Sequence, residues 1–382
     1  MSVLHCPEVI AEVRGRVGCI TLNRPQALNA LSLAMIRAIT AALRAWQQDA
    51  AVVAIAIRGV GKSAPFGHFC AGGDIRFFHR AAVNGEAELE DFFTEEYALN
   101  HLIHRFTKPV IVLLDGIVMG GGMGLAQGAS YRVVTENSRL AMPETLIGLF
   151  PDVGGGYFLS RLTGHLGEWL ALTGTVVGAA TAIRIGWADR YVPSHRLAAL
   201  WEALAQANLA GEGSLSECLA EFEEPVVPVD PALDALIDPS TGPTLNALID
   251  RCFGQASVPE IVATLASTDH PWAKTTLEAL AKRSPLMLHV AFEQIRRARG
   301  MTLEDELRME RGLVRHCFHP RHLNRRAGQT ETAEGIRALA VDKDHLPRWE
   351  PAELTAVTAE MVAPFFVSPW PSWAHPLREL RD

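Results

Sequence analysis

The order of local patterns predicts an α/β fold. Short β-branched runs alternate with helical stretches through the first half of the chain, glycines gather where those runs end, and helix-like periodicity takes over beyond about Trp187. The first strand is expected at Val17–Leu22, followed by a helix over 33–48 and a strand over 52–58. A helix over 87–106 leads into strands at 110–114 and 117–119, after which residues 120–122 open another helix. Residues 132–135 and 140–142 supply further strand candidates. The later half reads as helices over 196–208, 231–237, 245–252, 272–282, 285–299 and 303–318, separated by Pro, Gly and Asp. Ser284 followed by Pro285 has the form of an N-cap and first turn. Two regions are expected: an α/β core over residues 1–190, and a helical region over residues 191–382 that covers the core or forms an interface. The acidic, proline-rich stretch 221–231 is expected to be an exposed connection.

Composition narrows the class. The chain has 382 residues, 48% of them hydrophobic and 20% charged, which is ordinary globular usage. A net charge of −8 argues against a general nucleic-acid binder working through a basic surface. The six cysteines show no CxxC spacing, so reduced thiols are expected. Pro7, Glu8 and Glu12 interrupt the first residues before any apolar run forms, which leads to the expectation of a cytoplasmic protein. The most apolar segment, 110–126, is broken by Asp115 and several glycines and fits a buried strand and turn better than a membrane span.

Several chemistries lack their motifs. No serine sits in GxSxG, which argues against a serine esterase. Gly61-Lys62-Ser63 imitates the end of a phosphate loop, but Ala56 stands where the leading glycine is needed. Residues 120–124 are glycine-rich without matching GxGxxG, which disfavours a dinucleotide site. His316, His319 and His322 recur every third residue, yet Pro320 interrupts the helix that would align them, so a solvated helix end is expected and no metal site.

Three segments carry chemistry. Phe69-Cys70-Ala71-Gly72-Gly73-Asp74-Ile75 follows a strand, and its small residues let backbone amides approach a ligand closely. Met119-Gly120-Gly121-Gly122-Met123-Gly124 follows two strand runs and meets a helix start, which favours developing negative charge. The pair reads either as an oxyanion hole or as two tight turns. In the third segment, 142–156, Glu144 and Asp152 stand eight residues apart among Met, Leu, Ile and Phe. Asp152 either caps a helix over 156–162 or, with Glu144, has its pKa raised by desolvation for acid/base or nucleophilic work. Glu144 alternatively offsets a helix dipole.

Together FCAGGDI, MGGGMGL and MPETLIGLFPDVGGGYFLSRL resemble the crotonase (enoyl-CoA hydratase/isomerase) superfamily, and LNRPQALNALS over 22–32 is similar to its coenzyme A loop. Within it, the spacing of PET and PDVGGGYF, the run 95–100 and EGIRALAVDKDHLPRW at 334–349 most resemble the 3-hydroxyisobutyryl-CoA hydrolase branch. The resemblance implies a crotonase-like ββα spiral core and hydrolysis of a short β-hydroxyacyl-CoA thioester, a step of valine breakdown, without a metal or organic cofactor. It implies an oxyanion hole from the amides of Gly73 and Gly121, Glu144 as the catalytic glutamate and Asp152 as the aspartate of the hydrolase branch. Glu96 would bind the acyl group. Coenzyme A, part of the substrate, would lie along 24–28 and 71–75, touching Ala27, Ala71, Asp74 and Ile75, with its phosphates near arginines such as Arg24 or Arg76. The only implied partner is the acyl-CoA; a homo-oligomer is left open. Two rival readings share these loops. A hydratase or isomerase would need a second glutamate where this chain has Gly124. A non-catalytic assembly subunit would have no use for the retained Glu144, Asp152, Gly73 and Gly121.

Overall fold

A computed structural model describes residues 6–207, 212–226 and 245–381. The chain forms two compact units that interleave in sequence. The first comprises residues 1–73, 98–141 and 176–235, and the second 74–97, 142–175 and 236–382. The boundary expected at 190/191 is therefore drawn differently by the structure, because the chain crosses between the units several times. The expected helix over 231–237 lies outside the described residues, as does the end of the 221–231 connection; residues 223–226 of it have no regular structure.

The first unit is built on a six-stranded sheet. Its strands are β1 (Val9–Arg14), β2 (Val17–Leu22), β3 (Ala54–Gly59), β4 (Val110–Leu114), β6 (Tyr131–Val134) and β8 (Arg190–Tyr191), in the order β1-β2-β3-β4-β6-β8. The pair β1/β2 is an antiparallel hairpin, and every later pairing is parallel. A second small sheet pairs β5 (Ile117–Met119) with β7 (Arg139–Ala141) in parallel. Each turn of the chain thus lays one strand in the large sheet and the next in the small one, β4 then β5 and β6 then β7. This is the ββα spiral expected from the resemblance. β2 and β4 are buried throughout and β3 except at Arg58, because these strands are covered on both faces.

The two faces follow from the two-residue period of a strand. Val17 and Cys19 point into a core completed by Ile111, Leu113, Leu200 and Trp201. Gly18 points the other way, beneath Trp46 of the helix Leu33–Gln48. That helix starts where Ser32 accepts a hydrogen bond from the Met35 amide, and it buries Met35, Ile36, Ile39 and Leu43 along one stripe.

The second unit is helical. The first part of the helix Glu88–His104, up to Tyr97, packs with Ile75–Asn84 through Phe78, Phe92 and Phe93, whose rings lie 4.7–5.5 Å apart, and Phe318 closes on Phe93 at 5.6 Å. Helices Pro285–Ala298 and Leu303–Phe318 begin at Ser284 and Thr302, each accepting from the amide three residues on. The three histidines are not a solvated helix end as expected. His316 and His322 are bonded through Nε2 to the carbonyls of Val367 and Met361, so they hold the C-terminal segment. No group of three His, Cys, Asp or Glu among the described residues is arranged to hold a metal. None of the described helices is long and apolar enough to cross a membrane.

A β-carbon on Gly18 would lie 2.5 Å from the indole of Trp46. Gly18→Ala is expected to cost about 1–3 kcal/mol through overpacking, measured as a lowered urea midpoint at unchanged slope. An unchanged midpoint contradicts this packing.

Candidate active site

In the first unit the strand geometry brings the two glycine loops together. Cys70 bridges to Val118 of β5, its amide donating to the Ile117 carbonyl at 3.1 Å and its carbonyl accepting from Met119 at 3.0 Å. A β-carbon on Gly122 would meet the Cys70 carbonyl at 2.4 Å, so glycine is required there for backbone to pass backbone. Gly72 has φ +107, and a β-carbon on it would stand 3.6 Å from the Gly121 amide nitrogen. The Gly72 carbonyl accepts from Leu31, and Gly73 bridges to that same residue. Gly121 opens the helix Gly121–Gln127, where first-turn amides have no partner within the helix. Gly124 is buried in that helix.

The 22–32 loop is fixed by a residue the sequence reading passed over. Asn29, fully buried at φ +57, accepts from the Arg24 amide and donates to the carbonyls of Val60 and His68. Asparagine tolerates this left-handed backbone better than most residues, which is the trace it leaves in sequence. The Ala71 amide donates to the Leu28 carbonyl, so Ala27 and Ala71 sit on adjoining segments. Beside them opens a cleft of about 590 Å³ lined by Pro25, Leu28, Lys62, Phe66, His68 and Arg139 among others. Arg24 is engaged internally, with Glu8 at 3.1 Å and the Ala30 carbonyl at 3.0 Å.

The carboxylates belong to the second unit. Asp74 caps the helix Ile75–Asn84 by accepting from Phe77 at 3.2 Å, and Ile75 is that helix's first residue. Arg76 is exposed. Glu96 lies on the helix Glu88–His104, Glu144 opens the 3-10 turn Glu144–Ile147, and Asp152 follows it; all three are buried. Asp152 does not cap a helix with its side chain. The helix is Gly155–Leu159, Gly154 occupies the cap, and the Asp152 carboxylate instead accepts from the Tyr97 hydroxyl at 2.9 Å. Glu96 Oε1 and Glu144 Oε2 are buried with no hydrogen-bond partner among the described residues. A buried acceptor normally takes a partner, and these two face the other carboxyls of the trio.

Burial pushes the Glu144 carboxyl well above the usual carboxylate range, and the charge of Asp152 pushes in the same direction. Glu96 is raised by burial and then by Asp152 and Glu144. Burial raises Asp152 to about 7, opposed by the Tyr97 hydroxyl. Such a set favours one group charged and its neighbours protonated, which suits proton transfer near neutral pH. Sequence reading missed the roles of Tyr97, Gln294, Glu306 and Glu310. The last three contact the 151–156 turn, but on a helical pattern two acids four residues apart read as a solvated face.

Comparison with known proteins places the chain in a family. Residues 17–366 match the enoyl-CoA hydratase/isomerase family model, and the chain belongs to that family. It is 40% identical to the mitochondrial 3-hydroxyisobutyryl-CoA hydrolase of Danio rerio, over 96% of this chain and 91% of that protein. With the mitochondrial 3-hydroxyisobutyryl-CoA hydrolase of Homo sapiens the identity is 39%, over 92% and 86%. Among solved structures, a carnitinyl-CoA dehydratase from Mycobacterium thermoresistibile superposes with TM-score 0.83 at 35% identity, covering 97% of this chain and 99% of that one. An enoyl-CoA hydratase from Rhodobacter sphaeroides gives TM-score 0.81 at 37% identity, over 95% and 98%. The expectation of a cytoplasmic protein is corrected by these relatives, whose names place them in mitochondria. Pro7, Glu8 and Glu12 misled here, because they and the free thiols suit one reducing compartment as well as another.

The Asp152 carboxyl, lifted to about 7, binds its proton more tightly folded than unfolded. Its contribution to stability is therefore full below about pH 4 and lost as pH rises toward 7, each pKa unit being worth about 1.4 kcal/mol. Asp152→Asn should raise Tm relative to the wild type increasingly between pH 5 and pH 8. A Tm difference independent of pH removes the buried, protonated Asp152.

Proposed function

We propose that this chain hydrolyses the thioester of 3-hydroxyisobutyryl-CoA to 3-hydroxyisobutyrate and coenzyme A, as a step of valine breakdown. The observation that carries the reading is the buried trio Glu96, Glu144 and Asp152, two of whose oxygens have no hydrogen-bond partner among the described residues. In this reading the amides of Gly73 and Gly121 polarise the thioester carbonyl, a type of contact worth about 100- to 1,000-fold in rate for each donor. Glu144 opens the carbonyl to attack, either by adding to it or by taking a proton from water. The C–S bond breaks, the thiolate receives a proton with the help of Asp152, and the hydroxyl of water ends in the product acid. Glu96 accepts from the substrate hydroxyl. Coenzyme A runs along the segments carrying Ala27, Ala71, Asp74 and Ile75, and the cleft beside Lys62 and Arg139 offers cationic side chains for its phosphates. No organic cofactor takes part.

Two superposable structures are those of a hydratase and a dehydratase, which keeps enoyl-CoA hydration as the second reading. Gly124 opposes it, since addition of water across a double bond needs a matched acid and base.

Glu144→Gln keeps shape and loses basicity, so thiol release from 3-hydroxyisobutyryl-CoA should fall by about 1,000-fold or more with coenzyme A affinity little changed. Wild-type turnover in that variant removes Glu144 from its role. Single turnover in heavy-oxygen water separates the two routes: label in Glu144 marks covalent attack, and label confined to the acid marks general-base catalysis. Loss of enoyl absorbance from crotonyl-CoA without thiol release would favour the hydratase reading. Against 3-hydroxypropionyl-CoA the missing methyl is worth about 1–3 kcal/mol, and a panel of short acyl-CoAs ranks the two.

A further inference from the structure

Behind Asp152, the turn 151–156 rests on side chains that the proposed chemistry does not use. The helix Leu303–Phe318 carries Glu306 and Glu310 one turn apart, both fully buried. Glu310 accepts from the Gly154 amide at 2.8 Å with Oε2 and from the Gly156 amide at 3.2 Å with Oε1. Gln294, also fully buried, donates from Nε2 to Glu310 at 3.1 Å, to Glu306 at 3.3 Å and to the Pro151 carbonyl at 2.8 Å. A β-carbon on Gly156 would fall 2.1 Å from Glu306 Oε1, so the glycine run 154–156 is what lets the turn settle on these glutamates.

The turn needs holding. Val153 and Gly154 both take left-handed backbone, at φ +57 and +85, and a β-branched residue occupies that region only where its surroundings enforce it. Glu310 is aimed at the two amides that follow the bend. Burying a carboxyl apart from water is costly without such donors.

We propose that Glu310 is a positioning residue for Asp152: by clamping the amides of Gly154 and Gly156, with Gln294 tying the clamp to Pro151, it holds the 151–156 turn so that the Asp152 carboxylate meets the Tyr97 hydroxyl. The inference rests on Asp152 belonging to the hydrolytic machinery. Burial raises both carboxyls, Glu306 to about 7 and Glu310 well above the usual carboxylate range, with the charge of Glu306 pushing Glu310 further the same way. The charged or titratable groups around the turn are Asp152, Tyr97, Glu96, Glu144, Glu306, Glu310, Cys317 and Arg161.

The test uses the full chain and thiol release from 3-hydroxyisobutyryl-CoA. In Glu310→Gln a single amide oxygen faces two backbone donors, and kcat should fall about 10- to 100-fold, as for a displacement of about 1 Å, with KM within about threefold. Glu306→Gln leaves both turn amides on Glu310 and keeps the side chain's shape, and should keep kcat within about threefold. Wild-type kcat in Glu310→Gln, a loss carried by KM instead of kcat, or an equal loss in Glu306→Gln overturns the proposal. Should Glu310→Gln show no cooperative unfolding transition, Gln294→Met decides: a kcat reduced about 10-fold at unchanged KM is expected, and an unimpaired kcat overturns it. Failure of the wild-type chain to release thiol overturns the hydrolase reading and this inference together, whereas normal wild-type turnover with an unimpaired Glu310→Gln overturns this inference alone.

Discussion

Withdrawing Glu96, Glu144 and Asp152 from water together is the constraint on which the second unit depends. Carboxylates so close and so deeply buried cannot all be ionised, so burial and mutual repulsion drive protons onto them at pH values where an exposed acid would be charged. The Tyr97 hydroxyl, and after it a backbone hydrogen bond, opposes that tendency at Asp152. The aromatic packing of Phe78, Phe92, Phe93 and Phe318 serves the same arrangement, because Phe93 at its centre packs against Tyr97. Groups poised in this way cost stability and mark the turn as a candidate functional site.

The first unit solves a different problem with backbone alone. Parallel strands that alternate between two sheets deliver two glycine loops to one place, and close passage of Cys70 over Gly122 excludes side chains there. Amides presented by backbone need no side-chain ordering and carry no charge to desolvate, which suits them to stabilise an oxygen that becomes negative only in the transition state. Asn29 performs the equivalent service for the 22–32 loop, replacing missing backbone pairing with three side-chain hydrogen bonds.

Family membership and reaction are separate matters on this fold. The superposable hydratase and dehydratase share the architecture over nearly the whole chain, so architecture does not choose among water addition, isomerisation and thioester hydrolysis. The proposed choice rests on individual positions: a glycine at 124, where the resemblance puts the second glutamate of hydratases, an acid at 152, and the buried acceptor at 96.

Local chemistry sufficed for much of this. Strands Val17–Leu22, Val110–Leu114 and Ile117–Met119 and the helix Leu303–Phe318 stand where their patterns put them, because each has a clear period, a cap or a glycine at its end. Strand Val9–Arg14 was not legible, since it is an edge strand with several exposed residues, and the helix Val258–Ala266 was likewise passed over. Glu144 and Asp152 stood out as acids in an apolar stretch, but whether Asp152 capped a helix or joined a site depended on Tyr97, fifty-five positions away. Glu306 and Glu310 look like a solvated helix face until the fold buries them, and the interleaving of the two units leaves no mark in composition. The sequence by itself determined most of the elements, the glycine loops and the acids of the candidate site; only the tertiary structure decided which acids are buried together and which side chain holds which turn, because those relations join residues that meet only once the chain has folded.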